Sequence, residues 1–442
     1  MKFLFIIRDC SIEPLGILYL SSGLKRNGHI VGLYKYKDFK DIISYLDMFK
    51  PDIVGLSMTT GQHIKLLEIA SIVKNYDKNI KTIVGGAHPT YFPQISDNCD
   101  IDYIVRGEAD FSLVKLVNDL SKGIFVCNKV IADFILPVDL DSIDFPDREI
   151  IYKYPEYYKN KVRNVLTSRG CPFSCSYCYS SAYKELYKGQ RIVRYRSPVN
   201  IIKECEQIVK NYPVEMFFFA DDEFSMDITR LREIRNLYVN RINLPFHCQI
   251  RIDLLNEKRI SILKNMGCYS LTFAIESGNG RIRRTILNRN ISNQQIIEGC
   301  KLLKQYKIKF RAENMIGLPY ETFKEMVETV ELNVKVKPDY AWVSIYQPYP
   351  NTVLGEFCKR VGLFNGSLDG VQEKFSEGTV LNMPLKDKNR LVNLQRLFAL
   401  VVKFKFLIVI LDCLLNLPFE KFYTFLREEW KRYSYKKLFI GV

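Results

Sequence analysis

From Lys2 to about Leu120 the chain alternates short apolar, β-branched runs with longer stretches whose apolar positions recur at helical spacing. "FLFII" (3–7), "IVGLY" (30–34), "DIVGLS" (52–57), "KTIVGG" (81–86) and "DYIVRG" (102–107) read as strands. Between them Leu15, Leu18, Leu20 and Leu24, then Ile64, Leu67, Ala70 and Val73, fall at the spacing of buried helix faces. The alternation predicts a doubly wound parallel sheet, flavodoxin-like or Rossmann-like, over residues 1–126. Such a sheet binds ligands where strand C-termini meet helix N-termini. Here those loops read "RDCSIEPLG" (8–16), "SMTTG" (57–61), "GGAHPT" (85–90) and "RGEAD" (106–110), rich in the small and hydroxyl residues that close backbone approach to a broad ligand requires.

The pattern lapses over 127–160, where Pro137, Pro146 and Pro155 mark a surface-hugging linker. A second series then runs through "RNVLTS" (163–168), "EMFFFA" (215–220), "FHCQI" (246–250), "SLTFAI" (270–275), "IKFRAENMI" (308–316) and "YAWVSIY" (340–346). Helical segments 196–211, 226–238, 256–266, 292–306 and 320–336 separate these strands, which predicts a partial (β/α)6 barrel of TIM type over 161–352, with its chemistry at the strand C-termini. Residues 353–442 form an extension in which alternation ends, and 396–430 is dense in apolar and aromatic residues interrupted by Lys403, Lys405 and Asp412. Its uninterrupted apolar part is too short to span a bilayer. It reads either as helices packed on the barrel or as an interfacial helix that docks on a membrane.

Composition narrows the setting. The chain of 442 residues is 47% hydrophobic, as globular proteins are. "FLFII" stops at Arg8 and Asp9, so it reads as a strand rather than a secretory segment. The 12 cysteines suggest no secreted disulfide framework, which points to a reducing cytoplasm. A net charge of +15 suits an anionic cofactor, an acidic membrane surface or a solvated Lys-rich exterior. With no nucleic-acid-binding motif along the chain, a nucleic-acid partner is not expected.

"SRGCPFSCSYCYSS" (168–181) concentrates Cys171, Cys175 and Cys178 directly after the first strand of the second series. Three thiolates suit iron–sulfur or zinc, and no second Cys or His pair stands nearby to complete a zinc site. With Tyr177 before the last cysteine, the loop resembles the C-x3-C-x-Φ-C signature of the radical S-adenosylmethionine (SAM) enzymes. That resemblance implies that the three cysteines hold a 4Fe-4S cluster whose open iron chelates SAM, with reductive cleavage to a 5′-deoxyadenosyl radical. It also implies that Tyr177 lies against the adenine.

The other strand ends agree with the resemblance. "FFFADDEFS" (217–225) looks like the family's acidic motif, making Asp221, Asp222 and Glu223 candidates for the SAM ammonium or the substrate pocket; alternatively Asp222 caps the next helix. Arg251, Glu276 and Ser277 stand where related enzymes approach the SAM carboxylate and ribose, or Arg251 and Glu276 pair with each other. "NMIGLPYET" (314–322) matches a stretch whose backbone at Ile316 and Gly317 passes the adenine, while Glu321 and Thr322 read as a helix start. "QPYPNT" (347–352) resembles a turn in which Asn351 replaces glycine, as Asn tolerates positive φ.

A doubly wound domain before such a barrel resembles the cobalamin-dependent branch of the family, notably at "EPLGILYLSSGLKRNGHIVGLY" (13–34) and "VGGAHPT" (84–90). The resemblance implies cobalamin contacts from Leu15, Gly16, Ser57, Thr59, Thr60, Gly85 and Gly86, with His88 touching the nucleotide tail or capping its turn. Corrinoid proteins that ligate cobalt through histidine carry Asp-x-His-x-x-Gly after the first strand, whereas this loop reads Asp9, Cys10, Ser11. The cobalt is then held without a protein histidine, or no cobalamin binds. His29 and His63 read as structural, and His247 faces either core or pocket.

The resemblance implies an enzyme that methylates an unactivated carbon, with cyclisation, rearrangement or oxidation as the alternative chemistry and an electron-transfer or sensor protein as the non-enzyme one. Implied partners are a small-molecule or lipid-linked substrate and an external one-electron reductant such as flavodoxin or ferredoxin. A cytoplasmic chain with peripheral membrane contact through its extension fits the residues around Lys431, Arg432, Lys436 and Lys437, which would equally suit a lid.

Overall fold

The computed structural model describes residues 1–441 apart from 10, 11, 37, 38, 40, 133, 369 and 372–375, so Cys10 and Ser11 of the first strand-end loop lie outside the described residues. Two compact units emerge: Met1–Lys159 with Leu186–Arg191, and Asn160–Glu185 with Ile192–Val442.

In the first unit β1 (Lys2–Arg8), β2 (Ile30–Tyr36), β3 (Ile53–Ser57), β4 (Lys81–Gly85), β5 (Tyr103–Val105) and β6 (Val130–Ile131) form one parallel sheet in the order β2-β1-β3-β4-β5-β6. Strand order reverses at β1, and the crevice outside the carboxyl ends of β1 and β3 is the switch point where such sheets take ligands. Leu4, Ile6, Val54, Leu56 and Val84 bury one face of the sheet against Leu66, Ile69 and Val73 of helix 63–76. The two-residue strand β6 arises inside the stretch read as linker, too short to leave a periodic signal. The rest of that stretch is tied down: buried Glu13 accepts from Arg148 Nη1 (2.9 Å) and the Tyr152 hydroxyl (2.6 Å), and Ser21 donates to Asp147 (2.5 Å).

In the second unit β7 (Val162–Val165) is followed by a small antiparallel ribbon of β8 (Ser168–Arg169) and β9 (Arg194–Tyr195), then by β10 (Met216–Phe219), β11 (Phe246–Gln249), β12 (Cys268–Glu276), β13 (Lys309–Ile316) and β14 (Tyr340–Ile345). The larger sheet is parallel and runs β14-β13-β12-β11-β10-β7, each strand beside its predecessor, which is the connectivity of a partial (β/α) barrel. "RNVLTS" is therefore two strands. After Val165 the chain leaves the sheet, and the Arg196 N–H donates to the Thr167 carbonyl (3.0 Å) beside the ribbon.

The connecting helices begin at side-chain caps: Ser197, Asp227, Asn256, Ser292 and Thr322 each accept from backbone N–H groups one turn ahead. Because most of these caps follow a strand, they fix the C-terminal rim of the sheet. Behind the rim, fully buried Asn314 and Asn333 exchange an amide hydrogen bond (Nδ2 of Asn333 to Oδ1 of Asn314, 2.7 Å), and Asn314 also donates to the Trp342 carbonyl (2.9 Å). Asn333→Leu leaves the Asn314 oxygen without this donor and is expected to lower stability by about 1–3 kcal/mol, read from the denaturant midpoint.

Helix 385–403 lays Leu391, Leu394, Leu397 and Phe398 against Ile316, Ala341, Val343 and Ile345. Helix 420–438 ends on β12 and β13: Ser270 Oγ donates to the Leu438 carbonyl (2.5 Å), Lys309 Nζ to the Lys437 carbonyl (2.9 Å) and Arg311 Nη1 to the Tyr435 hydroxyl (2.9 Å). Both ends of the extension's helical run are thus part of the second unit. No helix among the described residues is long and apolar enough to cross a membrane.

His247 lies beneath this seam, 1% exposed, with Nδ1 2.7 Å from the Ser270 hydroxyl and Nε2 2.9 Å from that of Thr272. Burial, then the charge of Arg311, pulls its pKa down to about 3. The unfolded chain takes up this proton near the ordinary value of about 6.5 and the folded chain does not. Stability is therefore full above that value and is lost as pH falls toward 3. Between pH 7 and 5 the parent should lose about 2 kcal/mol more than His247→Gln, measured by denaturant titration at both pH values.

Candidate active site

The cysteine loop owes its shape to contacts that do not involve its thiols. Gly170 precedes it at φ +89°, and a Cβ there would fall 2.3 Å from the Ile192 carbonyl oxygen, so only glycine fits. Lys184 donates to the carbonyls of Pro172 (2.6 Å) and Phe173 (2.8 Å) and to Ser174 Oγ (2.8 Å). From other sides Asn288 Nδ2 donates to the Ser174 carbonyl (2.8 Å), the Ser176 N–H to the Leu287 carbonyl (3.1 Å), and the Leu354 N–H to the Ser176 carbonyl (2.8 Å).

Cys171 and Cys178 are half-buried and Cys175 is buried. Burial raises the thiol pKa of Cys171 and of Cys178, and in both cases the neighbouring cysteines and Asp222 raise it further. The three sulfurs and that carboxylate therefore share one field. Arg289 Nη1 stands 3.8 Å and Arg251 Nη1 4.0 Å from the Cys175 sulfur. A soft, triple-thiol donor set beside two guanidinium groups suits an anionic iron–sulfur cluster, and Cys171, Cys175 and Cys178 would hold it.

The three carboxylates after β10 have three different positions. Asp221 is fully buried and accepts from the Thr167 N–H (3.0 Å), Thr167 Oγ1 (2.9 Å) and Ser168 Oγ (2.5 Å), tying the end of β10 to the entry of the cysteine loop. Burial raises its pKa against the lowering effect of Arg230. Glu223, also buried, accepts from the Ser225 N–H (2.8 Å), Ser225 Oγ (2.6 Å) and the Arg251 N–H, and burial pushes it up to about 7. Both brace the rim, Glu223 through both carboxylate oxygens and Asp221 through Oδ1 alone, its buried Oδ2 having no hydrogen-bond partner among the described residues. Asp222 is exposed, makes no hydrogen bond among the described residues, and its charge raises the thiol pKa of Cys171 and Cys178. It does not cap the next helix, because Asp227 does.

Arg251 and Glu276 do not pair with each other. The Arg251 guanidinium grips Asp253 through Nε (3.1 Å) and Nη2 (2.9 Å) and lies 3.6 Å from the Phe173 ring centroid. Glu276 follows a register shift after Ala274 and has φ +65°, the kind of local irregularity that re-aims a side chain at a strand end. Its carboxylate accepts from the Tyr177 hydroxyl (2.6 Å), which also accepts from Arg289 Nη1 (3.3 Å). Burial raises the Glu276 pKa while Arg289 and Tyr177 lower it. The Tyr177 ring is thereby fixed by its hydroxyl beside the last cysteine.

Arg289, 6% exposed, joins Cys175, Tyr177 and Glu276 in one cluster, yet no sequence motif singled it out. Its only sequence hint is the arginine-rich stretch that contains Arg281, Arg283 and Arg284. Ser277 is fully buried, its Oγ accepting from the Asn279 N–H (3.2 Å), and serves the turn after β12. Ile316 is buried on β13, and Gly317 at φ +73° turns the chain toward Glu321, raised by burial to about 8. Thr322 caps helix 323–336, and Asn351 has φ +66°.

In the first unit, Ser57 at the end of β3 and Thr59 beyond it are exposed, Thr60 is half-buried, and Gly16 opens helix 15–26 at the surface next to buried Leu15. Gly85 ends β4 and Gly86, exposed at φ +95°, follows; a Cβ on Gly86 would stand 2.9 Å from the Met58 carbonyl oxygen. Side-chain-free backbone and hydroxyls at the switch point suit the corrin's nucleotide tail. His88 is 3% exposed, stacks on His63 with ring centroids 4.1 Å apart and meets Thr60 Oγ1 at 3.1 Å. Burial, then His63, lowers its pKa to about 3, so it braces the loop as a neutral ring. His29, with Nε2 2.8 Å from Asn118 Oδ1, is structural as expected.

Comparison with known proteins places these two units. The family model described as the B12 binding domain matches residues 6–117, and that of the Radical SAM superfamily matches 165–332. An uncharacterized methyltransferase of Pyrococcus horikoshii is 31% identical over 367 residues, 78% of each chain. The chain belongs to the B12-binding radical SAM enzymes. An anaerobic magnesium-protoporphyrin IX monomethyl ester cyclase of Rubrivivax gelatinosus is 28% identical over 382 residues, 80% of this chain and 67% of that protein. The fold is that of the radical SAM methyltransferase TsrM from Kitasatospora setae, solved with cobalamin and a 4Fe-4S cluster bound: TM-score 0.65 at 15% identity, covering 81% of this chain and 75% of that one. The cofactors of this radical SAM enzyme are a 4Fe-4S cluster, SAM and cobalamin.

Proposed function

We propose that this radical SAM enzyme is a cobalamin-dependent methyltransferase acting on an unactivated carbon of a small-molecule or lipid-linked substrate, with an external one-electron donor such as flavodoxin or ferredoxin. The observation that carries the reading is the conjunction, in one chain, of the triple-cysteine loop braced at Cys175 by Arg289 and of a B12-binding sheet, in a chain 31% identical to a protein named as a methyltransferase. When bound, the cluster with SAM supplies a 5′-deoxyadenosyl radical and cobalamin supplies a methyl group.

The chain's own residues supply placement. Lys184, Asn288 and the Leu354 N–H hold the loop in shape through bonds that spare the three thiols, which leaves the sulfurs available as ligands. Arg289 puts a buried positive charge beside the Cys175 sulfur, and Asp222 offers an unshared carboxylate at the rim for a cationic group. Tyr177, tethered through Glu276, offers a fixed ring face to the adenine. Localisation at the cytoplasmic side, with peripheral membrane contact through the extension, completes the reading.

The cyclase relative at 28% identity favours a second chemistry, ring closure or oxidation by the same radical. Labelled SAM separates the two. With a deuterated methyl group on SAM and a chemical reductant, methyl transfer places the label on the product. A product that has lost hydrogen and carries no label would replace this reading with the second.

A further inference from the structure

The outer surface of residues 404–425 does not resemble the exterior of an ordinary enzyme. Phe404 (42%), Phe406 (67%), Val409 (88%), Phe419 (50%), Phe422 (55%) and Phe425 (60%) are all exposed within that short stretch. Single exposed apolar residues are normal, whereas a contiguous group marks a contact surface. Ring contacts tie part of the group together: the Phe404 ring lies 6.2 Å from Phe406 and 5.9 Å from Trp430, and Trp430 5.3 Å from Tyr433, which joins the turn at 404–410 to helix 420–438, the helix that also carries Phe422 and Phe425. The inward residues of the same segment, Leu411, Leu415 and Tyr423, are buried against helix 385–403, so the exposed rings are not the residue of a loosely packed element.

Charge decides what could cover this surface. Asp412 is bound to Arg390, and Glu420 accepts from Arg396 Nη2 (2.5 Å), so each acidic group of the stretch is already neutralised by the helix behind it. Lys403, Lys405 and Lys421 are exposed and make no ion pair among the described residues. Apolar rings that need a dry partner therefore sit among unpaired ammonium groups that need an anionic one. A bilayer containing anionic lipid offers both, acyl chains below and phosphate at the rim. An acidic protein would have to match the rings with apolar surface of its own.

We propose that the ridge formed by Phe404, Phe406, Val409, Phe419, Phe422 and Phe425, with Lys403, Lys405 and Lys421, docks this protein peripherally on anionic lipid membrane. The inference rests on the peripheral membrane contact in the proposed reading and gives it a surface and a lipid class, while the radical reaction is tested separately by labelled SAM.

The test is flotation of the anaerobically purified full chain with vesicles of phosphatidylcholine alone and of phosphatidylcholine with phosphatidylglycerol, at low and high salt. Two variants accompany it, Phe406→Ser/Phe422→Ser and Lys403→Gln/Lys405→Gln/Lys421→Gln, all at exposed positions, with circular dichroism and cluster iron checking that each folds. The expected result is flotation with the anionic vesicles, weakened by salt and reduced at least about tenfold by either variant. Flotation equal on neutral and anionic vesicles, no flotation at all, or binding unchanged in both variants would overturn it. So would self-association that the Phe406→Ser/Phe422→Ser variant abolishes in sedimentation velocity without any vesicle binding, since the ridge would then be covered by a second copy of the chain.

Discussion

Cys175→Ala is expected to abolish SAM cleavage, with 5′-deoxyadenosine formation falling by at least about a thousandfold, equivalent to ~4 kcal/mol, and bound iron falling to background. The reason lies in how the loop is built. Cys175 is the buried member of the three thiols and the one whose sulfur two guanidinium groups approach. The bonds that shape the loop run instead through Lys184, Ser176 and Asn288, so the substitution should leave the fold intact. Iron quantification and circular dichroism on one sample separate loss of the cluster from loss of the fold.

Arg289→Met is expected to keep the cysteines but damage what they hold. The guanidinium donates to the Tyr177 hydroxyl (3.3 Å) and the Ala274 carbonyl (2.9 Å), stands 3.8 Å from the Cys175 sulfur and lowers the pKa of Glu276. Removing one partner of a buried charge cluster costs about 3–5 kcal/mol, here by leaving the buried Glu276 carboxylate without the neighbouring positive charge that lowers its pKa. SAM cleavage should fall by about a hundredfold, ~2.7 kcal/mol, and the cluster's reduction potential should move to more negative values because a neighbouring positive charge is gone. Arg289→Lys should restore much of the potential, since the charge remains, but less of the activity, since the planar fork is lost. A merely structural arginine would lower activity with iron loss and leave the potential of the surviving cluster unchanged.

What was legible in the sequence divides by the range of the interaction. The eleven longer strands and the five barrel helices announce themselves through β-branched runs and helical spacing, because burial of one face imposes that pattern locally. β6, β8 and β9 are two residues each and pair through backbone alone, so side-chain periodicity could not mark them. The cysteine loop was legible because Cys171, Cys175 and Cys178 fall close together in sequence with Tyr177 among them, a local pattern that needs no knowledge of the fold. The roles within "ADDE" were not, because Asp221 and Glu223 are distinguished from Asp222 only by which neighbours fold over them: Thr167 and Ser168 from one side, the Arg251 backbone from another. Arg289 escaped for the same reason, since its partners lie over a hundred positions earlier at Cys175 and Tyr177. The burial of His88 was not legible either, because the rings that close over it, His63 and Phe92, meet it only in the fold.

The most direct test of the central claim is a single anaerobic preparation from cells supplied with cobalamin, in which iron, corrinoid and reductant-dependent 5′-deoxyadenosine are quantified per chain. The account predicts about four irons, about one corrinoid and SAM cleavage in the same sample. A chain that retains the cluster and cleaves SAM but holds no corrinoid would contradict it.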